Sequence, residues 1–297
     1  MSLRWLPASA QEPTPPLLFD AQTRTDRIGR LLVPVTINGQ GPFRFVLDTG
    51  ANRSVLTPQL AAHLGLPVSK ANRLIMTGVT GSASVPTVAV EQLKVGDVEL
   101  HQVQLPVAAG LSEDVSGTLG VDALPDSRVL LDFANRRIQI RKAHRESLMD
   151  GFSRIRGQCR FERLLIVRAT VGRVPVRAVV DTGSQFTLGN FALRTKLGFP
   201  EKLDPVKTTD VIGETLERQK GERRLVPVVR VGTLQSATPS FIFGDFHVFK
   251  LWGLEKEPAI VMGMDMLGSL DTIIIDYQRC EMRVRPSGVD KPFTIQR

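Results

Sequence analysis

Tyrosine occurs once in 297 residues, tryptophan and cysteine twice each, and histidine four times. Each scarcity closes a route. Cys159 and Cys280 are too few for a disulfide framework and lack metal-ligand spacing; both lie in the second half of the chain, where one disulfide and two reduced thiols both stay open. His63, His101, His144 and His247 are not spaced as ligands of one site, so no metal centre and no cofactor are expected. No uninterrupted apolar run approaches the ~20 residues of a spanning helix, so no membrane span is expected. The formal charge is +8, but the basic residues are scattered and never form a Lys/Arg stripe interleaved with aromatics. That charge reads as a solubilising surface, and no nucleic-acid partner is expected. Near the start, Ala8-Ser9-Ala10 has the small-x-small form of a leader cleavage site, yet Met1 to Pro7 cannot supply the apolar stretch of about 7–15 residues that export needs. A periplasmic or extracellular location and a cytoplasmic one both stay open.

What the chain has in quantity is glycine (25), proline (19) and apolar residues (42%), a composition of short strands joined by turns. It also repeats itself. Phe45-Val46-Leu47-Asp48-Thr49-Gly50-Ala51 returns as Ala178-Val179-Val180-Asp181-Thr182-Gly183-Ser184, an offset of 133. Upstream, the alternating run from Leu32 to Gly39 matches Leu165 to Gly172. Downstream, Leu64-Gly65-Leu66-Pro67 matches Leu197-Gly198-Phe199-Pro200 at the same offset, and Gly117 to Leu124 answers Ile260 to Leu267. The halves close alike, with Leu130-Leu131-Asp132-Phe133 against Ile274-Ile275-Asp276-Tyr277. Such self-similarity marks a tandem duplication with one small β lobe per copy. Helical periodicity is confined to short pieces, chiefly Thr57 to Leu64 and Asn190 to Leu197. A strand is expected over Leu225 to Val229.

Two aspartates brought face to face across a pseudo-twofold axis share one proton, because like charges about 3 Å apart cannot both ionise. The ionised member can take a proton from a water that attacks a peptide carbonyl, while the protonated member donates to the developing oxyanion. Thr49 and Thr182 are short donors able to lock the two turns together, and Gly50 and Gly183 let the chain bend beneath the carboxylates. Just after the motifs the copies differ. Ala51 offers no side-chain donor, whereas the Ser184 hydroxyl can donate to Asp181; Asp181 is therefore the expected bearer of negative charge and Asp48 the expected bearer of the proton.

With these residues the chain resembles the retropepsin-like aspartic proteases, in a bacterial-type single-chain form with two tandem lobes, over residues 28–286. The resemblance implies an all-β, bilobal acid-protease fold of two pseudo-twofold-related retropepsin-like β-barrel lobes. It makes Asp48 and Asp181 the catalytic pair, with Thr49, Gly50, Ala51, Thr182, Gly183 and Ser184 supporting them. The hydrophobic-hydrophobic-Gly elements fall at Thr118-Leu119-Gly120 and Val261-Met262-Gly263. Flap hairpins over 77–82 and 211–214 would bring Gly78, Gly81 and Gly213 to the substrate. Tyr277 is far from either flap in sequence, so the flap tyrosine of pepsin-like enzymes is missing.

The implied activity is that of a monomeric aspartic endopeptidase acting on an extended polypeptide. A non-catalytic peptide-binding or regulatory module on the same fold is the alternative. The expected division is a Pro-rich tail or leader remnant over 1–27, a first lobe over 28–143, a linker over 144–158, a second lobe over 159–286 and a tail over 287–297. Fifty residues separate Gly213 from Gly263, against thirty-nine from Gly81 to Gly120. That surplus includes the aromatic run from Phe241 to Trp252, which either fills the second core or covers one end of the cleft. The polar run from Glu217 to Arg224 is expected as a solvated hairpin.

Overall fold

The computed structural model describes residues 17–22, 24–26, 29–96, 98–110, 114–143, 151–200, 202, 204–236 and 239–286. The leader-like Ala8 to Ala10, the Pro-rich run that follows, the centre of the expected linker (144–150) and the tail beyond 286 lie outside the described residues. The fold is all-β, with short helices only. Among the described residues no helix is long and apolar enough to cross a membrane.

Each motif ends a central strand. Gln40–Leu47 runs between Leu31–Ile37, antiparallel, and Gly117–Leu119, parallel; Val174–Val180 runs between Leu164–Val171 and Ala259–Met262 in the same two senses. A strand flanked on both sides and covered on both faces must be apolar without alternation. That is why Phe45, Val46 and Leu47, like Ala178, Val179 and Val180, are all buried. The parallel registers correspond as well: Leu47 lies opposite Leu119, and Val180 opposite Met262.

The first lobe forms an eight-stranded sheet, while a fifteen-stranded sheet takes in the second lobe together with Leu17–Gln22, Ser127–Asp132 and Arg137–Lys142 of the first. The lobes join where Ser127–Asp132 pairs antiparallel with Thr272–Asp276, placing Leu130 directly opposite Ile274. Those two residues are equivalents in the repeat, so the pseudo-twofold axis passes between them. Leu17–Gln22 and Ser153–Arg160 then extend this joint sheet at its two ends, on Arg137–Lys142 and Glu281–Arg285. One apolar cluster runs through both lobes.

The short helices Pro58–His63 and Phe191–Lys196 fall where the periodicity puts them. Thr57 and Asn190 cap them, accepting from the Leu60 and Leu193 amides at 3.2 and 2.9 Å. Other expectations are corrected. The strand expected over Leu225 to Val229 is broken, because Pro227 has no amide to donate; Arg218–Leu225 ends and Val229–Val231 begins on either side of it. Within the run expected to be solvated, Glu222 is fully buried against the buried Arg194 at 2.8 Å and also meets Arg224. Phe241, Phe243, Phe246 and Phe249 fill the core, while the helix His247–Leu251 also reaches the cleft. Cys159 and Cys280, brought together as Ser153–Arg160 runs alongside the closing hairpin, form a disulfide.

Candidate active site

The two motif turns meet at the lobe interface and interlock. The Thr49 hydroxyl donates to the Val180 carbonyl at 2.9 Å and accepts from the Thr182 amide at 3.0 Å; the Thr182 hydroxyl donates to the Leu47 carbonyl at 2.6 Å and accepts from the Thr49 amide at 3.1 Å. Both threonines are buried. Four orphan backbone groups at two strand ends are thereby satisfied reciprocally, each lobe holding the other's turn. Gly50 and Gly183 are required by close approach: a Cβ on Gly50 would collide with the Asp181 carboxyl, and one on Gly183 with that of Asp48.

This arrangement leaves the Asp48 and Asp181 carboxyls hydrogen-bonded to each other at the floor of a cleft of about 670 Å³. Asp48 Oδ1 accepts from the Gly50 amide at 2.8 Å, and Asp181 Oδ1 from the Gly183 and Ser184 amides at 2.8 and 3.0 Å. Burial raises the proton affinity of both acids. Asp181 is raised further, because the negative charge of Asp48 adds to its burial; Asp48 is held lower by backbone donors, its partner and Arg30. This reverses the expected charge distribution. The Ser184 hydroxyl donates to the Phe186 carbonyl at 2.8 Å and not to Asp181, so the donor expected to favour an ionised Asp181 is spent elsewhere and the bias of the shared proton lies toward Asp181.

Behind each turn lies a second repeated pair. The Ser54 amide and hydroxyl donate to Asp122 at 3.0 and 2.7 Å, and those of Thr187 donate to Asp265 at 3.0 and 2.7 Å. The same hydroxyls accept from the Gly120 and Gly263 amides. Asp122 and Asp265 thus tie the segment after each motif to its hydrophobic-hydrophobic-Gly element. Both lie in the repeat read from sequence, and the signal that identifies them is position: Ser54 and Thr187 each follow their motif aspartate by six residues, and Asp122 and Asp265 each follow Gly120 and Gly263 by two.

Above the cleft stand two hairpins, Ser69–Thr77 with Ser82–Val95 and Thr208–Ile212 with Arg218–Leu225. Gly78 and Gly81 close the first tip, the Gly78 amide donating to the Gly81 carbonyl at 2.8 Å. Gly213 opens the second tip, and its amide donates to the Thr80 hydroxyl at 3.1 Å, so the flaps meet. The first flap also rests on the helix His247–Leu251: the Val248 amide donates to the Val79 carbonyl at 3.2 Å, and Ser82 and His247 are hydrogen-bonded at 2.9 Å. Tyr277 is buried, and burial together with both dyad aspartates pushes its phenol up.

Besides Asp48 and Asp181, the cleft is lined by Arg30, Arg53, Glu162, Asp210, Glu214 and Arg223, none of which carries a motif in the sequence. Arg30 is held by Asp26. Glu162 sits in a turn where Phe161, Glu162 and Arg163 all have left-handed φ (51°, 58° and 86°), and it accepts from Asn52 at 2.8 Å. Glu214 hangs from the second flap.

Fold and site together are those of an all-β protein with two motif carboxyls beneath paired hairpins. Residues 33–123, under half of the chain, match the family model described as aspartyl protease. No curated protein matches the chain.

Proposed function

We propose that the protein is an aspartic endopeptidase with one active site between two lobes of one chain, working as a monomer on an extended polypeptide. The observation that carries this reading is the pair of motif carboxyls in mutual hydrogen bond, clamped by reciprocal threonine contacts under paired flaps. Asp48, ionised, takes a proton from a water lodged between the carboxyls as that water attacks the peptide carbonyl. Asp181 gives its proton to the developing oxyanion; on collapse Asp48 passes the water-derived proton to the leaving nitrogen, and Asp181 recovers a proton from the gem-diol hydroxyl, which restores the pair. The substrate lies as an added strand between the carboxyls and the flaps, its main chain facing Gly78, Gly81 and Gly213 and its side chains entering alternate pockets. The proposed lobes are 28–143 and 159–286 joined by 144–158, with tails over 1–27 and 287–297. The disulfide favours an oxidising compartment. A non-catalytic peptide-binding module is the alternative, and cleavage-site profiling on a denatured proteome separates the two. Asp48→Asn and Asp181→Asn are each expected to lower kcat/KM by about a thousandfold or more while leaving a folded protein. Turnover retained in either single variant overturns the shared-proton site.

A further inference from the structure

The tip of the second flap crosses to the first lobe. Its residues Gly213 to Glu217 include a left-handed turn at Leu216 (φ 63°), and the Gly213 amide is tied to Thr80. The Glu214 backbone lies so close over Gly110 that a Cβ there would collide with it. The Glu214 side chain consequently points down into the cleft, where the Thr118 hydroxyl donates to its Oε1 at 2.6 Å. Thr118 is fully buried, opposite Val46 on the strand beside the one that ends in Asp48. A third carboxyl therefore shares the cleft with the catalytic pair.

Its charge is not matched by a cation. Among the described residues no Lys, Arg or His lies within ion-pair distance of Glu214. Arg30 lines the same cleft but is engaged by Asp26, Nε to Oδ2 at 2.7 Å and Nη2 to Oδ2 at 2.7 Å, with its amide on Oδ1 at 2.9 Å. A carboxyl with one hydroxyl donor still has lone pairs to fill, and a guest that covers them without supplying a donor strips them of solvent at a cost. An apolar guest beside it deepens that cost, and an acidic guest adds a further like charge. A cationic guest relieves both.

We propose that Glu214 is a specificity-determining residue that selects a Lys or Arg side chain in the subsite between Thr118, Gly110 and Asp48. This rests on the endopeptidase reading above. Burial, and then the charge of Asp48, push the Glu214 carboxyl up to about 7, with Thr118 and Arg30 only partly offsetting them. In the empty cleft it therefore holds a proton below about pH 7, and a cation pairs with it only by displacing that proton. Preference for a basic side chain should weaken as pH falls below about 7. The charged groups of its cleft are Asp48 with Asp181 on the floor, Arg30 with Asp26 on the wall, and Arg53, Glu162 and Arg223 elsewhere in the lining; on its own hairpin, Asp210 is taken by Lys220 and Arg218, and Glu217 faces Gly81 of the other flap.

The test uses peptides identical except for Lys, Arg, norleucine, Gln or Glu at each of the four central positions. They are compared as kcat/KM with wild-type protein, Glu214→Gln and Glu214→Lys between pH 5 and 8. Expected for the wild type is one position next to the cleaved bond where Lys or Arg is preferred over norleucine by about tenfold or more, the ratio rising with pH to a plateau near 7. Glu214→Gln should bring that ratio to within about twofold, and Glu214→Lys should shift the preference to Glu. A ratio unchanged in Glu214→Gln overturns the proposal, as does a uniform loss across all peptides, which would make Glu214 only a seat for the flap. If the wild type cleaves no peptide, the endopeptidase reading fails instead. The Kd ratio of labelled Lys and norleucine peptides, by fluorescence anisotropy on wild type and Glu214→Gln, then decides whether this carboxyl selects a cation.

Discussion

Asp181 and Asp48 sit in equivalent frames yet differ in proton affinity: the charge of Asp48 adds to burial at Asp181, whereas backbone donors, its partner and Arg30 hold Asp48 lower. The consequence for stability has a definite sign. Both carboxyls are raised above the ordinary aspartate range, so the folded protein keeps a proton that the unfolded chain has already released. Their favourable contribution is complete below about pH 4 and is lost as pH climbs through the raised folded-state values. Replacing Asp181 with the neutral isostere removes that loss. Asp181→Asn should therefore melt above the wild type at pH 8, each kcal/mol released appearing as about 2–4 °C, with the gap closing toward pH 4. Calorimetry across pH checks this, and a gap that widens on acidification would mean the acid is stabilised in its charged form.

At the scale of elements, the motif turns carry no lasting structure alone; each is finished by the other lobe. Thr182→Val removes the donor to the Leu47 carbonyl and the acceptor of the Thr49 amide, leaving two buried backbone groups unpaired. At about 1–3 kcal/mol each, the loss should total roughly 2–5 kcal/mol in urea unfolding, and Thr49→Val should match it by symmetry. A loss confined to one of the two would show that the contacts are not equivalent. The flaps are less alike than the turns. The first rests on the helix His247–Leu251 and the second on the Gly110 segment, so the eleven-residue surplus of the second copy serves both as core and as a support for the opposite flap.

For the whole molecule, the proposed function has one chain supply both halves of the site. Specific activity should stay constant on dilution from micromolar to nanomolar protein, and a fall that follows a dimerisation curve would place the site between chains. The disulfide closes a loop with a sequence separation of 121 within the second copy. Replacing both cysteines with serine should cost about 2–5 kcal/mol of unfolding free energy, measured by denaturant titration.

The two motif aspartates were legible in the chain itself, because Asp-Thr-Gly occurs twice in matched frames and apolar runs without alternation mark strands buried on both faces. Even Asp122 and Asp265 left a trace, each two residues after the glycine of its hydrophobic-hydrophobic-Gly element. Other features have no local signature. Glu214 is one acid in a polar turn, and only the crossing of the second flap onto Gly110 brings it beside Asp48, 166 positions earlier in the chain. The Ser184 hydroxyl had two acceptors within reach, and the bend of its own turn aimed it at Phe186. Strand, turn and motif are set by neighbours in sequence. Which carboxyl keeps the proton, which cysteines meet and which acid enters the cleft are set by burial and by charges acting through space between segments more than a hundred residues apart, and those arise only when the lobes close on each other.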